Sequence, residues 1–291
     1  MTRREAVTRI AASPLLIGAM ATAAAPKPWK VLIVVAHPDD EYYFAATTYR
    51  IAQELGGTVD QVIITNGEGG YRYSTLAEKI YGVPLTDEST GRSRLPEIRQ
   101  KETLSAGRII GIRNHYFLSE RDHRFTLDAA EALEDIWNCS RVRETLQDLF
   151  AREKYDFVFT ILPRESTHGH HQAAALLALE TAAKLDPAER PVVLGAEPAA
   201  DTAAPSFGGL PRFALTRTAH AEPEFTFDRR QTFGTNSALR YEIVVNWVIA
   251  EHKSQGMFQN DAGKHGLELF WRFESGPEDA AERTASLARA L

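Results

Sequence analysis

Two short segments rich in histidine and acidic residues have the composition of a chemical site. The first, AHPDDEYYF at 36–44, puts one imidazole and three carboxylates into five consecutive positions. The second, STHGHHQAA at 166–174, carries three histidines within four positions. Imidazole and carboxylate groups are good ligands for a divalent cation, and the charge of the ion would relieve the repulsion among neighbouring acids. Together the two segments predict a metal site.

Ordinary helix capping explains only part of the first segment. The apolar run VLIVV at 31–35 precedes it and is typical of a parallel strand buried on both faces. Pro38 suits the first turn of a following helix, and the three acids after it would be favoured by the positive end of that helix. Capping leaves His37 unexplained, however, and does not require three successive acids. A bound cation accounts for both.

The second segment also follows an apolar run, DFVFTIL at 156–162. If a helix begins near Gly169, His168 and His171 lie three positions apart on nearly the same side, and His170 is turned away. A surface cluster of histidines is the alternative. We disfavour it because both segments fall at the carboxyl ends of separate predicted strands.

Short β-rich runs alternate with longer helix-like segments along most of the chain. The predicted strands are 31–36, 59–65, 115–119, 156–162 and 191–196, and the predicted helices are 41–55, 96–111, 129–153, 170–185 and 238–255. This alternation predicts an α/β fold with a doubly wound, mostly parallel, Rossmann-like sheet and helices on both faces. Ligands gather at the carboxyl ends of the strands in such sheets. Residues 200–237 are predicted to form an insertion of irregular strands.

Composition narrows the class of partner. The 33 Lys and Arg residues against 39 Asp and Glu residues give a net charge of −6. Because the sequence has no long run of basic residues, we do not expect it to bind nucleic acid. We expect its partners to be small molecules. Cys139 is the single cysteine, so an intrachain disulfide and a multi-cysteine zinc site are both excluded.

The first 26 residues have the pattern of an export signal. Arginines open the segment, the short apolar stretch SPLLIGAM follows at 13–20, and small residues offer a cleavage site near Ala25. The apolar stretch is too short to span a membrane as a permanent anchor. Thr2 to Arg4 resemble a twin-arginine signal, although residues 5–7 fit that pattern poorly. We expect export to the periplasm or beyond, and a cytoplasmic protein if this segment is only a frayed tail.

The motifs resemble the PIG-L/LmbE-like family of zinc-dependent N-deacetylases and amidases. AHPDDE after the first strand and a later His-x-x-His that opens a helix are the most specific features. Four further segments are similar to the family pattern: TNGEGG at 65–70, RQKETLSAGRIIGI at 99–112, FLSERD at 117–122 and AEHKSQ at 250–255. The resemblance implies one deacetylase domain over 27–276, followed by a peripheral tail at 277–291.

The resemblance also implies roles for individual residues. His37, Asp40 and His171 would bind zinc. Two histidines and one carboxylate leave an open position for water, as a catalytic zinc site requires. Asp39 would then act as the general base, and His168 would stabilise the oxyanion of the tetrahedral intermediate. Ferrous iron would suit the same three ligands.

Three further residues are expected near the substrate. Glu41 would orient the site or contact substrate, with favourable placement at a helix start as the alternative. Arg99 would reach the pocket or pair with Glu102 on one helix face. Asp122, after the third predicted strand, would bind substrate hydroxyls or be a plain loop residue.

One position departs from the family pattern. Many family members carry Asp immediately before the last ligand, where this chain has His170. Because that acid can orient the neighbouring histidine, we expect a different protonation balance at His168.

The implied activity is removal of an acetyl group from an N-acetylated sugar or sugar conjugate, with N-acetylglucosaminyl compounds as the first choice. An amidase acting on a larger acyl group or a thiol conjugate is one alternative. An inactive, exported carbohydrate-binding relative is another, although binding alone would not need Asp39. A doubly wound nucleotide binder is disfavoured because the first strand ends in AHPDDE rather than GxGxxG.

Overall fold

A seven-stranded sheet forms the centre of the protein in the computed structural model, which describes residues 28–200, 205–256 and 264–291. The strands are β1 (Lys30–Val35), β2 (Thr58–Thr65), β3 (Ile112–Glu120), β4 (Phe157–Ile161), β5 (Val192–Ala199), β6 (Phe225–Asp228), β7 (Thr232–Phe233), β8 (Leu239–Arg240) and β9 (Leu267–Arg272). The large sheet has the order β3-β2-β1-β4-β5-β9-β6, and β7 pairs with β8 separately. β1 to β5 are parallel, whereas β9 runs antiparallel to both β5 and β6.

Seven α-helices accompany the sheet in the described part of the chain. They are α1 (Ala45–Tyr49), α2 (Thr75–Tyr81), α3 (Glu88–Ile110), α4 (Cys139–Glu153), α5 (Gly169–Ala183), α6 (Tyr241–Glu251) and α7 (Ala280–Ala290). Helices α4 and α5 pack in the core on one face of the sheet, and α1, α3, α6 and α7 pack on the other. The predicted doubly wound α/β fold is therefore confirmed.

The burial of β1 explains its uninterrupted apolar sequence. Leu32 and Val34 belong to the core on one face, and Val31, Ile33 and Val35 belong to the core on the other. Every one of these side chains is shielded from solvent. A strand covered by helices on both faces has no polar side, so alternation is absent.

The order of the strands fixes where a ligand can bind. The chain moves outward from β1 through β2 to β3, then returns to the other side of β1 as β4. The connections therefore diverge between β1 and β4, and a crevice opens at the carboxyl ends of these two neighbours. The two histidine-rich segments follow these two strands.

The bounds of the predicted helices differ from those in the structure, most clearly at 41–55, which is α-helical only over Ala45–Tyr49, and at 96–111 and 129–153. α3 begins at Glu88, eight residues before the predicted start, because Asp87 caps it by accepting a hydrogen bond from Thr90 N at 2.9 Å. Pro96 lies inside this helix. The predicted helix 129–153 is interrupted at Trp137, and α4 starts afresh with Asn138 as its cap.

The C-terminal region contains a strand that the sequence patterns did not predict. β9 inserts between β5 and β6, and its Leu269, Phe270 and Trp271 are buried. Beyond it, the tail predicted at 277–291 forms α7, whose Leu287 is fully buried. The predicted export signal at 1–26 lies outside the described residues. Among the residues that the structure describes, no helix has the length and apolar character needed to cross a membrane.

Candidate active site

A cavity of about 510 Å³ opens where β1 and β4 end. Its wall includes residues from both histidine-rich segments and from loops across the sheet, among them His37, Asp39, Asp40, Tyr43, Tyr71, Arg99, Asp122, Phe125, His168, His171, His252 and Gln255. The size is within the range of small-molecule sites.

The Asp40 carboxylate stabilises the turn that follows β1. Its Oδ2 accepts hydrogen bonds from the main-chain N–H groups of Ala36, at 3.0 Å, and His37, at 2.8 Å. The other oxygen, Oδ1, lies 3.1 Å from His171 Nε2. Burial opposes ionisation of this carboxyl, but His171 and His37 hold its pKa well below the usual value. Asp40 is therefore a fixed carboxylate.

The three predicted metal ligands converge. His37 Nδ1 lies 2.9 Å from His171 Nε2 and 3.7 Å from Asp40 Oδ2. A tetrahedral zinc site with bonds of about 2.0–2.1 Å has ligand atoms about 3.3–3.4 Å apart. The distances from His171 Nε2 to His37 Nδ1, 2.9 Å, and to Asp40 Oδ1, 3.1 Å, are slightly shorter than that value, and one ligand atom from each of the three residues lies within 4.8 Å of the others. Two imidazoles and one carboxylate at this spacing fit a divalent cation.

Asp39 lies beside this group in a strained backbone conformation. Its φ of 144° is uncommon for a residue with a side chain, and such strain concentrates at functional sites. Arg99 Nη2 lies 2.8 Å from the Asp39 carboxylate and also donates to Pro38 O at 2.6 Å, while Nη1 donates to Gly67 O at 2.6 Å. Burial raises the pKa of Asp39, and Arg99 opposes that effect. Asp39 is thus held at the cavity wall beside Arg99 without being one of the three converging ligand side chains.

Arg99 fills the place predicted for it at the pocket, but its predicted partner is wrong. Glu102 instead accepts hydrogen bonds from Ser254 N at 2.8 Å and Ser254 Oγ at 2.6 Å. The Arg99 guanidinium packs directly against the loop after β2. In that loop Gly67 has a φ of 67°, which lies in the left-handed region that favours glycine. A Cβ atom on Gly67 would lie 2.3 Å from the guanidinium, so this position requires glycine for two independent reasons.

His168 occupies the N-cap position of α5. Its Nδ1 accepts a hydrogen bond from His170 N at 3.0 Å, so the proton of the neutral ring resides on Nε2. Burial, with the neighbouring His37 and His170 rings, lowers the pKa of His168 to about 2. The ring therefore stays neutral and presents an N–H donor, as stabilisation of an oxyanion requires.

The expectation that His170 turns away from the site is wrong. Its side chain is fully buried, and its Nδ1 lies 3.3 Å from both Asp122 Oδ1 and His37 Nε2. Helical spacing predicted that the His170 side chain points away from those of His168 and His171. It could not predict that Asp122, from a loop far away in the sequence, contacts this side chain. His170 affects His168 through its main-chain N–H and by ring contact, with centroids 4.5 Å apart.

Asp122 lines the cavity, yet its carboxylate already has protein partners. Oδ2 accepts a hydrogen bond from Gly69 N at 3.1 Å, and Oδ1 faces His37 and His170. Burial opposes ionisation, but the His37 and His170 rings hold the pKa of Asp122 well below its usual value. The structure thus places Asp122 among the histidines.

Glu41 does not contact the cavity, which corrects the expectation of a substrate contact. It is fully buried, and its Oε1 lies 2.6 Å from His252 Nε2. His252 is a cavity wall residue. The role left for Glu41 is to hold that histidine in place.

Aromatic wall residues were missing from the predicted site. Tyr43 lies against His171, with ring centroids 6.3 Å apart, and Phe125 contacts His168 edge-on at 5.0 Å. The Tyr-Tyr-Phe run directly after AHPDDE was an available signal for Tyr43. Phe125 belongs to an irregular loop, where periodicity carries no information.

Comparison with known proteins supports the fold. N,N'-diacetylchitobiose deacetylase from Pyrococcus horikoshii, solved with its inhibitor MPG, has a TM-score of 0.52 and 18% identity, covering 87% of this chain and 88% of that chain. GalB, the 4-carboxy-2-hydroxymuconate hydratase from Pseudomonas putida KT2440, is 14% identical and covers 84% of this chain and 95% of that chain, but its TM-score of 0.48 is too low to add to this support.

A curated protein is similar in sequence. The probable N-acetyl-alpha-D-glucosaminyl L-malate deacetylase 2 of Bacillus cereus is 24% identical over 163 residues, which are 56% of this chain and 65% of that protein. The match therefore spans slightly less than two thirds of the relative's length.

The family model of PIG-L, described as GlcNAc-PI de-N-acetylase, matches residues 32–182. This range is just over half of the chain and contains both histidine-rich segments. The resemblance predicted from the motifs is confirmed, and the chain belongs to the PIG-L (GlcNAc-PI de-N-acetylase) family.

Proposed function

We propose that the protein is a zinc-dependent hydrolase that removes an acetyl group from an N-acetylated sugar or sugar conjugate, with N-acetylglucosaminyl compounds preferred. One observation carries the proposal. A ligand group of His37, Asp40 and His171 shares a cavity with an unligated carboxylate, Asp39, and a neutral imidazole, His168. Membership of the PIG-L family supports an amide substrate.

The residues of the chain divide the chemistry among them. Zinc held by His37, Asp40 and His171 would supply Lewis-acid activation of the amide carbonyl and of water. Asp39 accepts the proton of the attacking water and returns it to the leaving amine. His168 donates its Nε2–H to the oxyanion that develops on the substrate.

The proposed substrate class follows from the family and the cavity. Two of the deacetylases that resemble this chain are named for acetylated amino-sugar compounds. The cavity combines aromatic side chains such as Tyr71 and Phe125 with polar groups, a mixture that suits a sugar ring with its apolar faces and hydroxyl rim. The proposed site of action is outside the cytoplasm, in line with the signal pattern at 1–26.

Metal analysis and an amine-release assay test the proposal together. Purified protein is analysed for zinc and iron, then incubated with N-acetyl sugars, their N-acyl analogues with longer chains and a thiol conjugate. We expect bound zinc and amine release from N-acetylglucosaminyl compounds by the wild type. Asp39→Asn should keep its metal and lose at least about 100-fold in kcat, since general-base catalysis typically contributes that much or more.

The other outcomes select the alternatives. Release only from longer acyl groups or the thiol conjugate would support the amidase. Sugar binding without amine release by either protein would support a carbohydrate-binding module and contradict the proposal.

A further inference from the structure

The helix that follows the AHPDDE segment has no cap from its own side chains. Its N-cap position is Phe44, whose apolar ring cannot accept a hydrogen bond from the main chain. In the turn before it, Tyr42 N donates to Asp39 O at 3.4 Å, and the bond from Asp40 N is 3.3 Å long. Both are longer than the usual range of about 2.7–3.2 Å. The segment between Asp40 and α1 therefore needs support from elsewhere in the molecule.

Glu268, on β9, supplies the missing cap. Its Oε1 accepts a hydrogen bond from Ala46 N and its Oε2 accepts one from Thr47 N, each at 2.9 Å. These are the second and third residues of α1, whose N–H groups an N-cap side chain ordinarily bonds. A carboxylate is also favoured at the positive end of a helix. Glu268 is fully buried, and its strand is paired on both sides, with β5 and β6, so the cap is held firmly.

Arg229, directly after β6, completes the link. Its Nε donates to Glu268 Oε1 at 3.0 Å, and its Nη2 donates to Tyr42 O at 2.8 Å. Its side chain is buried like that of its partner. The pair thus bonds to the main chain at 42, 46 and 47, and Tyr42 is itself a residue of the cavity wall.

Stability alone does not account for this pair. Replacing a buried ion pair with well-packed apolar residues is often neutral or stabilising, because the desolvation of two charges offsets their attraction. Apolar side chains at 229 and 268 could fill the same space. They could not form hydrogen bonds with the main chain at 42, 46 and 47.

We propose that Glu268 and Arg229 are positioning residues for Asp39 and Asp40. Neither side chain lines the cavity, so both act through the main chain of 42–47. Both also lie outside residues 32–182, which the family model matches. The C-terminal strands β6 and β9 therefore help to shape the active site. The catalytic effect of the pair rests on the proposed hydrolysis, whereas its hold on 42–47 does not.

Glu268→Gln tests the hold on 42–47 by amide hydrogen exchange, read by mass spectrometry. The amide has one acceptor oxygen in place of two and lacks the charge that attracts Arg229. We expect exchange at Ala46 and Thr47 to become about 5–10-fold faster relative to exchange in α5, because a weakened cap makes local opening easier. Asp60→Asn is the matched control. It alters another fully buried carboxylate of the sheet, on β2, and should leave this ratio unchanged.

Kinetics separate positioning from a general loss of stability. With zinc saturating, kcat per folded Glu268→Gln protein should fall about 10–100-fold, since a small displacement of reacting groups has effects of this size. KM should stay within about twofold, because the lost interaction matters only in the transition state. Asp60→Asn should keep wild-type kcat and KM once the folded fraction, measured by urea denaturation, is taken into account.

Arg229→Lys is the second variant and replaces Glu268→Gln if the latter does not fold. Lysine keeps the positive charge beside Glu268 but lacks the planar fork that also reaches Tyr42 O, so kcat should again fall while KM is kept. Wild-type exchange at 46 and 47 in the folded variants would overturn the proposal, and so would wild-type kcat or an equal loss of kcat in Asp60→Asn. Faster exchange in a protein that releases no amine would leave the hold on 42–47 standing and refute the proposed hydrolysis instead.

Discussion

His168 and Asp39, the proposed oxyanion donor and the proposed general base, are held by different means. The main-chain N–H of His170 fixes the tautomer of His168, so its proton points away from the helix terminus. Arg99 holds Asp39 as a carboxylate while burial favours its protonation. At the scale of residues, the site therefore contains a neutral imidazole N–H donor and a buried carboxylate, the two groups that the proposed hydrolysis requires.

Replacing His168 with glutamine tests the donor role. A glutamine amide also offers an N–H, but its longer and more flexible chain cannot reproduce the fixed direction of the ring. We expect kcat for amide cleavage to fall about 10²–10³-fold, as for loss of one oxyanion donor, with the metal content of the His37, Asp40 and His171 group unchanged. His220→Gln serves as the control because that histidine is exposed in a distant loop. Wild-type kcat in His168→Gln would contradict the assignment.

Sequence spacing predicted that the two histidine-rich segments meet, because strand ends and helical periodicity are local properties, whereas the choice of His37, Asp40 and His171 as ligands came from the family resemblance. It could not predict the surroundings of Glu41, whose partner His252 is 211 positions away. The direction of His170 was missed for the same reason. Partners that are distant in the sequence decide whether a polar side chain lines the cavity or instead hydrogen-bonds to a residue that lines it.

At the scale of elements, Glu102 joins α3 to the segment that follows α6. Its carboxylate accepts hydrogen bonds from Ser254 N, Ser254 Oγ and Tyr81 OH. That segment also carries His252 and Gln255 to the cavity wall. One buried carboxylate on a long helix therefore positions a wall of the site.

Glu102→Gln should destabilise the protein. The amide keeps the shape but has one acceptor oxygen in place of two, so it cannot accept all three hydrogen bonds, and the charge assistance of those that remain is lost. We expect a decrease of about 1–3 kcal/mol in the free energy of unfolding, measured by urea denaturation. Glu97→Gln on the same helix is the matched control, since Glu97 pairs with Lys101 in solvent and should change stability by no more than about 0.5 kcal/mol. Equal effects of the two substitutions would refute this role for Glu102.

The errors in element prediction have identifiable causes. Pro96 suggested the start of a helix, although the cap at Asp87 lies further back and the chain tolerates proline within α3. β9 escaped prediction because its run of mixed charged and aromatic residues has no clear alternation, and its place between β5 and β6 depends on a return from the far end of the chain.

At the scale of the whole molecule, Asp60 ties together the amino-terminal ends of the sheet. It is fully buried on β2 and bonds to Arg113 and Asn114 on β3 and to Tyr155, which precedes β4. Burial alone would raise the pKa of Asp60, but Arg113 and Tyr155 lower it below its usual value of 3.8.

This lowered pKa predicts how stability depends on pH. A carboxyl with a depressed folded-state pKa stabilises the protein above the unfolded value and loses that contribution as the pH falls through the folded value. The difference in unfolding free energy between wild type and Asp60→Asn should be constant above about pH 5 and shrink below 3.8. Urea denaturation of both proteins across this range measures it. A difference that stays constant into strong acid would show that Asp60 titrates normally.

The C-terminal helix contributes to the same core as the site-bearing strands. Leu287→Ala should lower the free energy of unfolding by about 2–5 kcal/mol, because Leu287 is fully buried against that core. Leu76→Ala is the matched control, as Leu76 is 68% exposed and should change stability by about 0.5 kcal/mol or less. Thermal or urea denaturation distinguishes them, and a negligible effect of Leu287→Ala would mean that α7 is dispensable for stability.

The contact between Trp137 and His170 gives the protein an optical signal of its own. Indole emission responds to charge and proton position in an adjacent ring, and these two rings lie 5.1 Å apart. Trp271 is buried on β9 and Trp247 is largely exposed on α6, so their emission maxima should bracket that of Trp137. Replacing these two and Trp29 with phenylalanine would leave Trp137 as the single tryptophan, whose fluorescence should follow ligand entry among the histidines in real time, without an added dye.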